Sequence, residues 1–170
     1  MKSKLSILTR YILLLALMFT TPLIYKIFSP LTIYPTFFIL KLFYNQTTLI
    51  NNTILINEFP IQIISACIGA SAYLLLLILN LSTPLILKKR TQTLSFSIVI
   101  LLIFNIARIT ILSILAYKTP LLFTTIHNLT WLFLNTFIVV IIWFLTIKIF
   151  KIKSIPVYTD LKSIKISHRA

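Results

Sequence analysis

The chain has 170 residues, 59% of them hydrophobic, with a formal net charge of +14, one glycine and one cysteine. Soluble domains are about 45–50% apolar even with glycine counted, and the mean hydropathy here is +1.03, so the expected class is a polytopic integral membrane protein of one domain. A single glycine leaves nothing for a phosphate-cradling loop or a GxxxG helix contact, and a single cysteine excludes an internal disulfide and a cysteine-based metal cluster; no cofactor and no metal are expected.

In chain order, Lys2, Lys4 and Arg10 precede an apolar run over 11–28. It is too long for a signal-peptide core and no small-x-small cleavage site follows it, so it reads as a first transmembrane span, with Pro22 able to kink it. The segment from Ser29 to Tyr44 carries Pro30, Pro35 and Lys41 and is short for a span of about 20 residues. It is expected to lie on the outer face as an interfacial helix. Two Thr/Ile/Leu-rich runs, Thr47–Ile50 and Thr53–Ile56, flank Asn51-Asn52. Asparagine tolerates the positive φ of two-residue turns, so a small external β-hairpin is expected. Further spans are expected over 61–87, 94–117 and 121–147, and a basic tail over 154–170. The expected fold is therefore all-α and membrane-integral: a four-helix bundle with one hairpin and one interfacial helix.

The excess of Lys and Arg in cytoplasmic segments orients such a bundle. With the amino terminus inside, the inner segments hold twelve of the sixteen basic residues: Lys2, Lys4, Arg10, Lys88, Lys89, Arg90, Lys148, Lys151, Lys153, Lys162, Lys165 and Arg169. The outer segments hold three, Lys26, Lys41 and Lys118. Both termini are thus expected in the cytoplasm of a multi-pass plasma-membrane protein. Because the charges flank apolar runs, they read as a topology signal, and no nucleic-acid partner is expected; membrane lipids are.

The sixteenth, Arg108, lies within a span. A cation there costs about 2.5–3.5 kcal/mol even on the lenient insertion scale, and the only acids, Glu58 and Asp160, lie outside every span. A structural ion pair therefore does not explain it. Cys67 and His127 each lie six residues inside the outer start of an expected span, at Ile61 and Leu121, or roughly 9 Å deep at 1.5 Å per residue. Arg108 lies nine residues below Tyr117 and its side chain can snorkel upward. Thiol, guanidinium and imidazole are thus expected at one level, from three helices. Asn105, at i−3 from Arg108, shares its face. A cationic neighbour or a helix start favours the thiolate that makes cysteine a nucleophile. Asn80, Ser82, Thr83 and Asn135 are expected in helix-to-helix hydrogen bonds, and Glu58 as a solvated loop acid.

An extended segment entering a helix with Cys67-Ile68-Gly69, then Asn105-Ile106-Ala107-Arg108 in the next helix, then His127 at the outer start of the following one resembles the exosortase/archaeosortase family of membrane-embedded cysteine proteases and transpeptidases. The resemblance covers about Ile54 to Trp143. It implies that Cys67 is the nucleophile, that Arg108 stabilises the thiolate or the oxyanion, and that His127 is the general base and then acid. It also implies membrane-anchored substrates whose C-terminal sorting signal is a short motif, an apolar helix and a basic tail, cut at the outer membrane boundary and passed to water or to a lipid acceptor. Gly69 is expected to let a substrate backbone or a neighbouring helix approach the sulfur. The competing expectation is a non-enzymatic transporter or channel subunit that uses Arg108 as an anion or headgroup site.

Overall fold

Proline removes a backbone donor and usually stops a helix, yet the first long helix passes through two. In a computed structural model, which describes residue 12 and residues 15–130 and 135–152, helix α1 runs unbroken from Thr21 to Phe43 with Pro30 and Pro35 inside it. A 3-10 turn over Met18–Thr20 leads into it. The separate interfacial helix expected within Ser29 to Tyr44 is therefore not a separate element; it is the C-terminal part of α1. Packing overrides the local cost. Ile24, Ser29, Thr32, Ile33, Thr36 and Leu40 are buried along one side, and the Thr36 hydroxyl donates to the carbonyl of Thr32 at 2.8 Å. The carbonyls that Pro30 and Pro35 leave without their i+4 donors are those of Lys26 and Leu31, and such interruptions are tolerated inside membranes where neighbouring helices pack against them. The cations Lys2, Lys4, Arg10 and Lys153, the tail over 154–170 and Trp131 lie outside the described residues.

The expected hairpin forms with the expected strands, β1 Thr47–Ile50 and β2 Thr53–Ile56, and Asn51 takes a positive φ of 53° at its turn. A third strand, β3 Phe59–Gln62, extends it into an antiparallel sheet of order β1-β2-β3. Asn57 and Glu58, both at positive φ, make the second turn, the geometry that matches strand twist. Pro60 hides β3 from a sequence reading, because proline is excluded from sheet interiors; it is admitted on an edge strand, which β3 is.

Since Ile61 and Gln62 are in β3, the helix expected from 61 starts later. It is divided into α2, Ser65–Ile68, and α3, Ala70–Ser82. It also ends before 87, because Thr83 precedes Pro84 and takes the extended conformation (φ −87°, ψ 129°) that such residues prefer. Helix α4 covers Leu87–Lys118, so the basic triplet Lys88-Lys89-Arg90 forms its first turn rather than a loop. The stretch expected as a span over 121–147 contains α5, Pro120–Leu129, and α6, Asn135–Ile149.

The molecule is thus mostly helical, and among the described residues three helical segments are long and apolar enough to cross a membrane: α1, the Ser65–Ser82 stretch and α4. One apolar cluster joins α1, α3, α4 and α6 through Ile24, Tyr73, Leu76, Leu101, Val139 and Ile142, with Phe28 stacked on Tyr73 at 3.9 Å. A second joins the sheet to the helices through Ile33, Leu40, Ile54, Ile56, Ile63, Ile68 and Ile109. Asn80 donates to Thr93 across α3 and α4 at 2.7 Å, as expected. Ser82 and Thr83 instead bond within their own turn, to the carbonyl of Leu79. Ser97 and Thr146 meet across α4 and α6 at 2.9 Å.

Candidate functional site

Strand β3 delivers the chain to the site. The Ile63 N–H still bonds the Asn52 carbonyl at 2.9 Å. Ile64 then stays extended (φ −86°, ψ 167°) and the chain turns into the single-turn helix α2. The Cys67 N–H donates to the Ile64 carbonyl at 2.9 Å. Gly69 closes α2 in the left-handed conformation, φ 73°, and its carbonyl opens α3 by accepting from the N–H of Ala72 at 2.9 Å. A Cβ on Gly69 would meet nothing within 4 Å. The glycine is therefore explained by its backbone angle and not by a neighbouring helix pressed against it. We expect Gly69→Ala to lower stability by about 1–2 kcal/mol, the left-handed penalty of an L-residue, seen as a modest drop in the detergent-solubilised unfolding midpoint.

A helix ending at Ile68 exposes its last carbonyls, and α4 supplies their donors. The Asn105 amide donates to the carbonyls of Cys67 and Ile68 at 3.2 and 3.0 Å. The Arg108 Nη2 donates to the Cys67 carbonyl at 2.9 Å. The two side chains one turn apart thus hold the backbone that carries the thiol. Asn105 does so directly, on the carbonyls, from the face it shares with Arg108. Removing it with Asn105→Ala leaves the Ile68 carbonyl without this donor inside the bundle. The expected loss is about 1–3 kcal/mol, measured as a lowered unfolding midpoint together with a changed rate of maleimide addition to Cys67.

Between β3, α4 and α5 lies a cavity of about 200 Å³. Cys67, Arg108 and His127 all line it, so the three residues singled out by depth along separate helices do share one enclosure. Arg108 is only 8% exposed, a cation held in the wall of the cavity. Cys67 and His127 are half-buried. The His127 ring lies against Phe123, one helical turn earlier, with centroids 5.2 Å apart. Its Nδ1 is buried without a hydrogen-bond partner, so no described carboxylate fixes its tautomer. Glu58 is exposed at the β2–β3 turn and does not line the cavity.

Sequence reasoning missed the rest of the lining. Gln62 enters from β3, and Ser113 and Thr130 add hydroxyls from α4 and the end of α5. Ile61, Ile63, Ile64, Ile109 and Leu112 make most of the remaining wall apolar. Gln62 was legible only once β3 was known as a strand; within an assumed helix its position at the cavity has no meaning. On the other face of α2, Ala66 also borders a wider space of about 440 Å³ beside Tyr25, Gly69 and Ser71.

The cavity thus brings a thiol, a guanidinium and an imidazole to one largely apolar-walled space beside β3. Comparison of the chain with protein-family models, with curated proteins and with solved structures finds no match.

Proposed function

We propose that the chain is a membrane thiol peptidase or transpeptidase of the exosortase/archaeosortase type, acting on C-terminal sorting signals of exported proteins at the outer membrane–water boundary. The observation that carries this reading is the single cavity lined by Cys67, Arg108 and His127.

Depth supports it. From Arg90, in the basic turn at the start of α4, to Arg108 is eighteen residues, or about 27 Å of helix. The hydrocarbon core is about 30 Å thick, so with the basic turn on the cytoplasmic side Arg108 stands at the outer boundary. The sheet agrees, since open strand edges do not stand in lipid hydrocarbon. Its Ile54 and Ile56 pack in the cluster of Ile109, beyond Arg108 along α4. The site then lies at the boundary itself, above the roughly 9 Å depth counted from the ends of the apolar runs. On this reading four helical passes, α5 and α6 together supplying the last, leave both termini in the cytoplasm of the plasma membrane.

In the reaction the Cys67 Sγ, as thiolate, attacks the carbonyl carbon of the peptide bond that precedes the substrate's own membrane helix. A C–S bond forms and the carbonyl oxygen becomes an oxyanion. Arg108 supplies the positive field for both anions and, through the Cys67 carbonyl, fixes the backbone that aims the sulfur. His127 takes the thiol proton and returns it to the leaving amine as the C–N bond breaks. The thioester that remains on Cys67 is resolved by water or by a lipid-linked acceptor. The partners are membrane-anchored proteins ending in a motif, an apolar helix and a basic tail.

Co-expression with an epitope-tagged protein of that design tests the reading. The expected result is a shortened product and, after acid quench, a covalent adduct on Cys67 that neutral hydroxylamine releases as thioesters require. Full-length substrates from every sorting-signal protein of the same genome, with no adduct on Cys67, would sink it.

A further inference from the structure

The register of the sheet leaves a particular set of backbone groups unused beside the cavity. The pairs Ile54↔Ile61 and Ile56↔Phe59 continue the alternation that starts at the Ile63 N–H bond to the Asn52 carbonyl. In an antiparallel pair, bonded and non-bonded pairs alternate. Ile61 and Phe59 therefore direct their N–H and C=O groups to β2, and the intervening pairs Thr53↔Gln62 and Leu55↔Pro60 direct theirs away. The Gln62 N–H, the Gln62 carbonyl and the Pro60 carbonyl thus face the open side of β3. Pro60 has no N–H to leave unpaired there, which is why an edge position admits it. No described strand pairs with that side, and Phe59, Pro60 and Gln62 are exposed. The same strand walls the cavity through Ile61 and Gln62 and ends five residues before Cys67.

We propose that the open edge of β3 is the docking rail for an extended peptide segment, the stretch of a sorting signal just outside the membrane, which adds to the sheet as a fourth strand and lays its carbonyl beside the Cys67 thiol. The proposal rests on the reading of Cys67 as the reacting group. It commits to direction. A sorting signal enters the membrane in the N-to-C sense, and β3 also runs N-to-C toward the site, so the added strand is parallel to β3. In parallel pairing one substrate residue is bracketed by two rail residues. Its N–H donates to the Pro60 carbonyl and its C=O accepts from the Gln62 N–H; the N–H two residues later donates to the Gln62 carbonyl. Main-chain bonds give affinity without regard to side chains, and specificity is left to the side-chain walls. An edge beside a reactive thiol otherwise invites unspecific strand pairing; here its missing proline donor and its place at the boundary limit what can add to it.

The test is a tethered peptide on the full chain in detergent micelles. Ac-Thr-Val-Thr-Val-Cys-NH2, its thiol activated as the 3-nitro-2-pyridinesulfenyl disulfide, exchanges with the Cys67 thiolate; the protein–peptide disulfide forms and nitropyridinethiolate leaves. The chain has three glutamines, Gln46, Gln62 and Gln92, so backbone 15N-glutamine labelling isolates the Gln62 amide, with Gln92 as an internal reference on α4. The expected result is amide exchange at Gln62 slowed at least about tenfold by the tethered peptide, unchanged at Gln92, and unaffected when Cys67 carries only a cysteamine adduct. Tethering without slower exchange at Gln62, or equal slowing by cysteamine, overturns the docking rail and leaves the thiol reading standing. Failure of Cys67 to exchange with the activated peptide at all overturns both, because the thiol is then not presented to the cavity.

Discussion

Cys67→Ser is expected to abolish processing of a tagged sorting-signal substrate, with a loss of about 10³-fold or more, while insertion and unfolding midpoint stay as in the parent chain. The substitution exchanges one atom in a half-buried side chain, and the backbone bonds at the Cys67 carbonyl from Asn105 and Arg108 remain. Only the reactivity changes, because a serine hydroxyl has no thiolate to offer at neutral pH. Full processing by a normally inserted Cys67→Ser chain would end the peptidase reading. The competing role, a transporter or channel subunit with an anion or headgroup site, makes the opposite forecast. It is indifferent to the sulfur and fails only when the cation is removed.

Arg108→Ala is the second large effect, and here two magnitudes must be weighed. The change gives up charge-assisted hydrogen bonding to the Cys67 carbonyl, about 1.5–3 kcal/mol. It also relieves the cost of holding a cation at this depth, about 2.5–3.5 kcal/mol at the bilayer centre and less toward the boundary. At the boundary, where the depth along α4 puts Arg108, that relief is small, so unfolding stability should fall by about 1–3 kcal/mol. Activity should fall further than that loss of stability explains. Loss of a positioned charge at a developing oxyanion lowers turnover by about 10²–10³-fold, and Arg108→Lys should recover only part of it, since a lysine ammonium lacks the planar fork that reaches the carbonyl and the cavity together. Processing and stability are measured on the same preparation. A chain that unfolds in step with its loss of activity would make Arg108 a structural pin and nothing more.

Much of this arrangement was legible in the sequence. Apolar runs and the cation at Arg108 are local features of the chain, and counting about 1.5 Å per residue from expected helix starts was enough to group Cys67, Arg108 and His127, although the start assumed at Ile61 lies in a strand. Strands β1 and β2 were legible because Thr/Ile/Leu alternation and an Asn-Asn turn are local signals. Strand β3 was not. Its proline argues against a strand unless the strand is known to be an edge, and edge status is a property of the whole sheet. The division at Gly69 was hidden for a similar reason: a single glycine in an apolar run does not announce a left-handed turn, which exists because Asn105 and Arg108, thirty-six and more residues away, cap the carbonyls it leaves behind. The continuity of α1 through Pro30 and Pro35 likewise depends on what packs against it.

By itself, then, the sequence determined the apolar segments long enough to cross a membrane and picked out three chemically distinct polar residues within or beside them, because hydropathy is additive along the chain. Tertiary structure alone decided that those residues share one enclosure, that Arg108 grips the backbone of the cysteine, and that an open strand edge leads to it. Those are relations between side chains and carbonyls far apart in sequence, and their energies exist only once the helices and the sheet have packed.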